Sequence, residues 1–306
     1  MRIFLFVING LGVGSLPDYS KYDTEYNCTS LNVSGIEDCA VLNKLGLFKC
    51  CLKDMDKSTL GYCFRGRWLT TDTTYESGLN EILGNMSFNN SCAENLIDYL
   101  KRHNVNVRFL SSKIDGIAHE IFDNDTAVIE SCIKTDFSGD SVVICEFNDF
   151  AQAGLLGDIC KMQSAICNID NKLDNFINNV GYDDIVFISG NFGINPTKIG
   201  ITREYSPIFV YSKKARRNTN LRTVQGGSSI AMTIVDLLNI YPNSMSFADD
   251  ILRKNADNNF GDRLSIAKGK VKELKPKITV QKAIKNKPST DKTKVIKVKI
   301  VKDRTK

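Results

Sequence analysis

Residues 1–18 read MRIFLFVINGLGVGSLPD, and the first half of this stretch indicates the kind of fold to expect. Residues 3–8 are apolar throughout, which is typical of a strand buried on both faces of a parallel sheet. The run is shorter than the apolar core of a secretory signal, so we expect a first core strand in a cytosolic protein. The glycines that follow do not meet the G-x-G-x-x-G spacing, and a tight turn is their simplest interpretation.

The rest of the chain repeats this pattern in alternation with helical periodicity. Strand-like apolar runs occupy residues 141–147, 184–189 and 208–211, and helix-like spacing occupies residues 92–102, 151–180 and 228–239. This order predicts an α/β fold with a doubly wound, mostly parallel sheet flanked by helices. Ligands of such sheets bind at the carboxyl edge, so the segments to inspect are residues 9–17, 148–155 and 190–202.

Charge divides the 306 residues into two unlike parts. Residues 263–306 hold 14 lysines and two arginines against three acidic side chains, whereas residues 1–262 are net acidic. We therefore predict an α/β core over residues 1–262 and a basic, disordered tail over residues 263–306. No apolar run approaches the roughly 20 residues that cross a bilayer, which excludes an integral membrane protein.

The tail is either a spacer without a partner or an element that binds a polyanion, such as nucleic acid, the ribosome or anionic lipid. Its lysines supply point charges that suit nonspecific attraction to phosphate. The candidate contacts are Lys268, Lys270, Lys272, Lys294, Lys297 and Lys299. The sequence does not reveal whether the chain has a protein partner.

The ten cysteines all lie between Cys28 and Cys167 and are irregularly spaced. No C-x-x-C pair occurs, which argues against zinc ribbons and dithiol redox motifs. We expect reduced thiols in a cytosol, most of them packed as small apolar side chains.

Two blocks of sequence resemble a known family. VINGLGVGSLPD at residues 7–18, followed by Leu-Gly-Leu at residues 45–47, is similar to the opening of phosphopentomutases, which belong to the alkaline phosphatase superfamily. FISGNFGINPTKIGITREYSPIFVY at residues 187–211 is similar to that family's T-A-D-H-G-N-D-P block and the D-H-T-R-E-Y-x-P-x-L-x-Y that follows it. The resemblance covers most of residues 1–250 and implies an alkaline-phosphatase-like core.

The resemblance also implies two divalent metal ions held by aspartates and histidines. At the positions that match those ligands, this chain has Asn9, Phe150, Leu155, Asn191, Phe192 and Ile201. Neutral side chains cannot offset the charge of two buried dications. We therefore predict no metal and no cofactor; manganese or magnesium is expected only if the chain retains phosphotransferase activity.

The segment TTYESGLNEILG, residues 73–84, is similar to the family's phosphorylated-threonine segment. Its register leaves Thr73, Thr74 and Tyr75 as candidates for the degenerate nucleophile. Only residues 85–140 separate it from the later ligand segments, which is too short for the cap domain that the mutases insert there. His103 and His119, the only histidines, fall outside the edge segments.

The retained motif Thr202, Arg203, Glu204 and Tyr205 is expected to tie a loop to the sheet. Asp18, Asp149 and Asp158 are acidic residues near the edge, at positions where the family has no ligand. Three hypotheses follow. The chain is a pseudoenzyme that acts by binding or assembly, a residual metal-dependent phosphotransferase, or a metal-free sensor of a sugar phosphate.

Overall fold

The computed structural model describes residues 1–22, 25–54, 58–84, 94–113, 118–137, 139–214, 223–240, 246–248 and 251. The chain divides into two compact units, Met1–Asn255 and Ala256–Lys306, and every described residue lies in the first. The predicted basic tail and its six candidate lysines lie outside the described residues. Within the described ranges, no helix is both long and apolar enough to cross a lipid bilayer.

An eight-stranded mixed sheet forms the centre of the first unit. Its strands are β1 (Arg2–Asn9), β2 (Tyr62–Arg67), β3 (Asn106–Ser111), β4 (Glu120–Ile121), β5 (Ser141–Phe147), β6 (Ile185–Asn191), β9 (Ser206–Tyr211) and β10 (Thr223–Gln225). A separate antiparallel pair joins β7 (Gly193–Asn195) to β8 (Gly200–Thr202). The order is β10-β2-β9-β6-β1-β5-β3-β4, and among these described strands only β9 runs antiparallel to its neighbours. The predicted mostly parallel α/β sheet is confirmed.

Helices cover both faces of this sheet. They are α1 (Thr29–Asn32), α2 (Ala40–Leu45), α3 (Leu47–Cys50), α4 (Tyr75–Ile82), α5 (Leu96–Arg102), α6 (Asp125–Ile133), α7 (Asp149–Leu155), α8 (Ile159–Asn179) and α9 (Ser228–Leu237). Alternate side chains of β1 point to two hydrophobic cores, one shared with α4, α5 and α9 and the other with α2, α3, α6 and α8. This explains why residues 3–8 are apolar without interruption.

The helical pattern over residues 151–180 is two helices, not one. Gly157 adopts a left-handed φ of +69°, which ends the turn that follows α7. The Asp158 side chain then accepts a hydrogen bond from Lys161 N at 3.0 Å and caps the start of α8. Glycine after a helix and aspartate before the next are strong boundary signals, so the local chemistry overrides the continuous apolar spacing.

Candidate functional site

Three amides and one carboxyl group meet at the carboxyl edge of the sheet, where β1, β5 and β6 end. Asn9 Nδ2 donates to Glu146 Oε1 at 2.9 Å and to Asn148 Oδ1 at 3.2 Å. Asn191 Nδ2 donates to Asn9 Oδ1 at 2.9 Å and to the Tyr75 carbonyl oxygen at 2.7 Å. Ser111 Oγ donates to Glu146 Oε2 at 2.8 Å, and all of these side chains are buried. We call this set, Asn9, Asn191, Asn148, Glu146 and Ser111, the amide network.

The strand register explains why the network forms. β1 lies between β5 and β6, and Asn9 is the register partner of Asn191. Glu146 is the register partner of Val7, so it shares a face of the sheet with Val7 and Asn9. Most polar atoms of this buried edge are therefore matched by a neighbour, as buried polar groups require. The exception in the network is Asn191 Oδ1, which is buried and has no hydrogen-bond partner among the described residues.

Aromatic side chains fill the space beside the network. A Cβ atom placed on Gly10 would lie 3.3 Å from both Phe150 Cδ1 and Tyr75 Oη, so these two groups close over the end of β1. Phe192 is fully buried, and its ring centroid lies 4.6 Å from that of Trp68. The region next to Asn9 and Asn191 is thus packed core.

This donor set does not fit a pair of divalent ions. The side-chain nitrogens of Asn9 and Asn191 donate hydrogen bonds, and such nitrogens are not metal ligands. Glu146 supplies a carboxyl group, but Asn9 and Ser111 already engage its two oxygens. Over the described residues, no group of three or more His, Cys, Asp or Glu side chains is arranged to hold a metal ion.

The structure does not bring every predicted position to this edge. Leu155 is the last residue of α7 and is 39% exposed. Ile201 lies in β8, opposite Ile194. Asn9, Asn191, Phe150 and Tyr75 do come together.

The three candidate hydroxyl groups of the predicted nucleophile segment differ in their surroundings. Thr74 caps α4, because its Oγ1 accepts from Ser77 N at 3.1 Å in a capping box and donates to Asp72 Oδ2 at 3.3 Å. Thr73 Oγ1 is buried and has no hydrogen-bond partner. Burial, followed by the charges of Glu204 and Glu76, raises the pKa of the Tyr75 hydroxyl, which stays neutral. A capping hydroxyl and a buried neutral phenol are poor nucleophiles.

A second polar cluster lies beside Asn148. Asp125 Oδ1 accepts from Ser112 Oγ at 2.5 Å and from Asn148 N at 2.8 Å. Asp125 Oδ2 accepts from Asp149 N at 3.1 Å, and Asp149 Oδ2 accepts from Asp125 N at 3.0 Å. Burial, followed by the charge of Asp149, raises the pKa of Asp125 to about 7. These two aspartates thus link the starts of α6 and α7 to the edge of the sheet.

The raised pKa of Asp125 predicts that the free energy of unfolding falls as the pH rises. Because folding raises the pKa of Asp125 from 3.8 to about 7, the folded state binds the proton more tightly. The stabilisation is complete below about pH 4 and is lost as the pH rises to about 7, on the order of 4 kcal/mol in all. Urea unfolding of Asp125→Asn across this range should lack that slope, while Asp123→Asn, at an exposed neighbour, should keep it. An unchanged slope in Asp125→Asn would contradict the assignment.

The retained motif forms a buried anchor around Glu204. Glu204 Oε1 accepts from Asn27 Nδ2 at 2.7 Å, Thr29 Oγ1 at 2.8 Å and Thr202 Oγ1 at 2.6 Å. Its Oε2 accepts from Gly14 N and Thr29 N, each at 3.0 Å. Glu204 is fully buried and joins the loop after β1 to α1 and β8.

The neighbours of Glu204 in the motif extend this anchor. The buried Arg203 guanidinium lies 4.0 Å from the Tyr22 ring centroid, and its Nη2 donates to Asp18 Oδ2 at 3.1 Å. The Arg65 guanidinium lies 3.9 Å from the Tyr205 ring centroid. The three acidic residues near the edge have structural roles. Asp18 forms an ion pair with Arg203, Asp149 links the starts of α6 and α7, and Asp158 caps α8.

Sequence reasoning missed Glu146 and the partners of Glu204. A lone acidic residue inside the apolar run SVVICEF is a usable signal for Glu146, because a carboxyl group in a buried strand needs partners. Asn27 and Thr29 carry no such signal, since polar residues in a loop are usual. The histidines are peripheral: His103 caps α5 through a contact with the Tyr99 carbonyl, and His119 contacts Lys101.

The chain is similar in sequence or structure to several known proteins. Residues 113–242 match the model of the Metalloenzyme superfamily. A phosphopentomutase of Alkaliphilus oremlandii (strain OhILAs) is 35% identical over 78 residues, which are 25% of this chain and 20% of that protein. The soluble domain of lipooligosaccharide phosphoethanolamine transferase A from Neisseria meningitidis is 11% identical, with 83% of this chain and 94% of that chain covered and a TM-score of 0.46.

One solved structure carries the fold assignment. A protein in the alkaline phosphatase superfamily from Vibrio parahaemolyticus is 9% identical, with 78% of this chain and 66% of that chain covered and a TM-score of 0.51. The sequence match to the phosphopentomutase spans only a fifth of that protein, so its activity does not transfer with it. Residues 113–242 thus match the Metalloenzyme superfamily model, and the fold of the chain is similar to that of an alkaline phosphatase superfamily protein.

Proposed function

We propose that this chain is a pseudoenzyme related to the phosphopentomutases, which lacks their two-metal site and acts by binding or assembly. The observation that supports this most strongly is the amide network. Asn191 donates through its side-chain nitrogen to Asn9 Oδ1, and Asn9 donates through its own to Glu146, where paired dications need anionic oxygens. Phe150 and Tyr75 occupy the adjacent space.

The side chains at the carboxyl edge of the sheet are better suited to stabilising the core than to transferring a phosphoryl group. A metal-assisted transfer needs an activated nucleophile and charges that stabilise the phosphoryl oxygens. Thr74 Oγ1 is engaged in capping α4, and the Tyr75 hydroxyl is buried and neutral. In this proposal the chain retains the fold of its relatives, while the carboxyl edge of its sheet is occupied by a packed polar network.

Metal titration tests the proposal. The full chain, dialysed against EDTA and then offered excess Mn²⁺, Mg²⁺ or Zn²⁺, should retain well under one equivalent by elemental analysis. A metal present at 100 times its dissociation constant would add about 2.7 kcal/mol to stability, a shift of a few degrees in Tm. We expect a shift below about 1 °C, with a phosphopentomutase handled in parallel as the positive control.

The same samples separate the rival functions. Two equivalents of metal together with phosphate migration or release from ribose phosphates would support a residual phosphotransferase and overturn the proposal. A Tm shift caused by ribose 5-phosphate without metal would support the metal-free sensor instead. Neither response is expected.

For the binding activity, we propose a polyanion as the partner and the basic tail as the element that binds it. The net positive charge of residues 263–306 supports this, because lysine clusters release counterions from phosphate backbones. The proposal includes a cytosolic location, which the irregular cysteine spacing supports. Salt-sensitive retention on immobilised nucleic acid should be lost from a chain that ends at residue 262 and kept by the full chain.

A further inference from the structure

The cysteines are arranged in pairs that the sequence does not suggest. Nine cysteines are described and all are free thiols. Eight of them fall into four pairs of interacting thiols: Cys28 with Cys51, Cys39 with Cys167, Cys50 with Cys63, and Cys132 with Cys145. The ninth, Cys160, is exposed.

Accessibility separates these pairs. Cys50 with Cys63 and Cys132 with Cys145 are wholly buried, so no oxidant reaches them in the folded chain. The other two pairs each have one partly exposed member, Cys51 or Cys167. To form a disulfide in the native state, a thiol must lie close to a second thiol, and one of the two must be accessible to the oxidant.

The pair of Cys39 and Cys167 has the better-defined geometry. Both Sγ atoms lie 3.8 Å from one carbonyl oxygen, that of Gly35. Cys39 directly precedes α2, and Cys167 lies within α8. Two sulfurs that both contact this one oxygen are neighbours between the segment before α2 and α8.

The backbone around the two sulfurs is fixed from both sides. Gly35 has a left-handed φ of +85°, and its close approach to α8 leaves no room for a Cβ atom beside the Gln163 side chain. Asp170, one turn after Cys167, accepts from Val41 N at 3.1 Å and from Leu42 N at 2.8 Å. Side chains of α8 on either side of Cys167 therefore hold the segment that carries Cys39.

We propose that Cys39 and Cys167 form a redox-reactive pair, which a peroxide or a low-molecular-weight disulfide converts into a disulfide between α2 and α8. With hydrogen peroxide, the sulfur of Cys167 attacks one oxygen, the O–O bond breaks, and a sulfenic acid and one water are formed. The Cys39 sulfur then attacks the sulfenic sulfur, and the departing hydroxide takes the Cys39 proton as a second water. Two thiols lose two electrons, and the peroxide is reduced to two waters.

The two cysteines have distinct roles in this reaction. Cys167 is the more exposed of the two, so it meets the oxidant first. Burial, followed by the charge of Asp170, raises the pKa of the Cys39 thiol, so Cys39 stays protonated and leaves the first attack on the oxidant to Cys167. The product constrains the unfolded chain over the long loop between α2 and α8, so oxidation should raise Tm.

Peptide mapping tests the proposal. The full chain, reduced and desalted, is exposed to hydrogen peroxide or oxidised glutathione, alkylated, and digested with trypsin and Glu-C without reductant. Cleavage after Glu37 separates Cys28 from Cys39, and cleavage after Lys161 separates Cys160 from Cys167. We expect residues 38–44 to be cross-linked to residues 162–172, and alkylation of both thiols to return after dithiothreitol.

Two variants complete the test. Cys160→Ser removes the exposed lone thiol of the same helix and should keep both the cross-link and the rise in Tm. Cys167→Ser, at a partly exposed position, should abolish both and leave Cys39 fully alkylated. A folded chain whose Cys167 carries glutathione while Cys39 stays free would overturn the proposal, as would a cross-link from Cys39 to Cys28 or Cys160.

Discussion

Replacing Asn9 with aspartate is expected to destabilise the chain by about 3–5 kcal/mol and to create no metal site. Asn9 donates through Nδ2 to Glu146 Oε1, so the change places two carboxyl groups against each other in a buried edge. It also removes the donor to Asn148 Oδ1. The residue that the mutases use at this position is thus the wrong one for the network around it.

The pH dependence of Asn9→Asp provides a second readout. One of the two facing carboxyl groups should take up a proton, because like charges at this distance raise a pKa. A raised pKa means that stability falls as the pH increases, so the loss should be smaller at pH 5 than at pH 8. Urea unfolding at both values measures this, with Asn80→Asp on the exposed side of α4 as the matched control.

Adding Mn²⁺ to the Asn9→Asp variant tests the prediction that no metal site is created. If millimolar Mn²⁺ restored the stability of Asn9→Asp, the edge would hold a dication once a single carboxylate is added. The proposed absence of a metal site would then depend on one residue and not on the packed network. We expect Mn²⁺ to change the urea midpoint of Asn9→Asp no more than that of the unmodified chain.

Glu204→Ala is expected to cost at least about 3–5 kcal/mol, enough to prevent folding in a domain of ordinary stability. Five donors converge on this carboxyl group, two from backbone and three from side chains. Alanine would leave Gly14 N, Thr29 N and Thr202 Oγ1 buried without this acceptor, and each unsatisfied donor carries a desolvation penalty. Asn27 Nδ2 and Thr29 Oγ1 would retain the Ile194 carbonyl oxygen as an acceptor. The loss of the anchor should loosen the loop after β1 and α1 together.

Two further variants make this result specific. Glu204→Gln keeps one acceptor oxygen but turns an amide NH₂ toward donors, so its loss should be intermediate. Glu25→Ala, at an exposed residue that pairs with Lys198, should change the free energy of unfolding by less than about 0.5 kcal/mol. Urea unfolding measures all three, and a Glu204→Ala chain as stable as Glu25→Ala would refute the anchoring role.

Strands were the most predictable feature, because their signal is local. Residues 141–147 form β5 as expected, and residues 3–8 form the body of β1. The direction of β9 was not predictable: residues 208–211 read as a buried strand whichever way they run. The break at Gly157 was present in the sequence but hidden by apolar spacing that continues across it.

The residues of the candidate site also differ in whether local sequence predicts their position. Asn9 and Asn191 end two apolar runs, so their position at one edge of the sheet follows from strand assignment alone. Glu204 and Thr29 are 175 residues apart in the chain, and no local pattern connects them. The pairing of Cys39 with Cys167 is equally long-range and depends on how α2 docks on α8.

The position of β9 in the sheet has a consequence for partial unfolding of the chain. β2 reaches the parallel strands only through β9, and β10 only through β2. An opening that breaks the pairing of β9 with β6 therefore releases three strands in one event, while β1, β5, β6 and β3 keep their ladders. Amide exchange would divide this sheet at an internal seam, with β9 on the side that opens first.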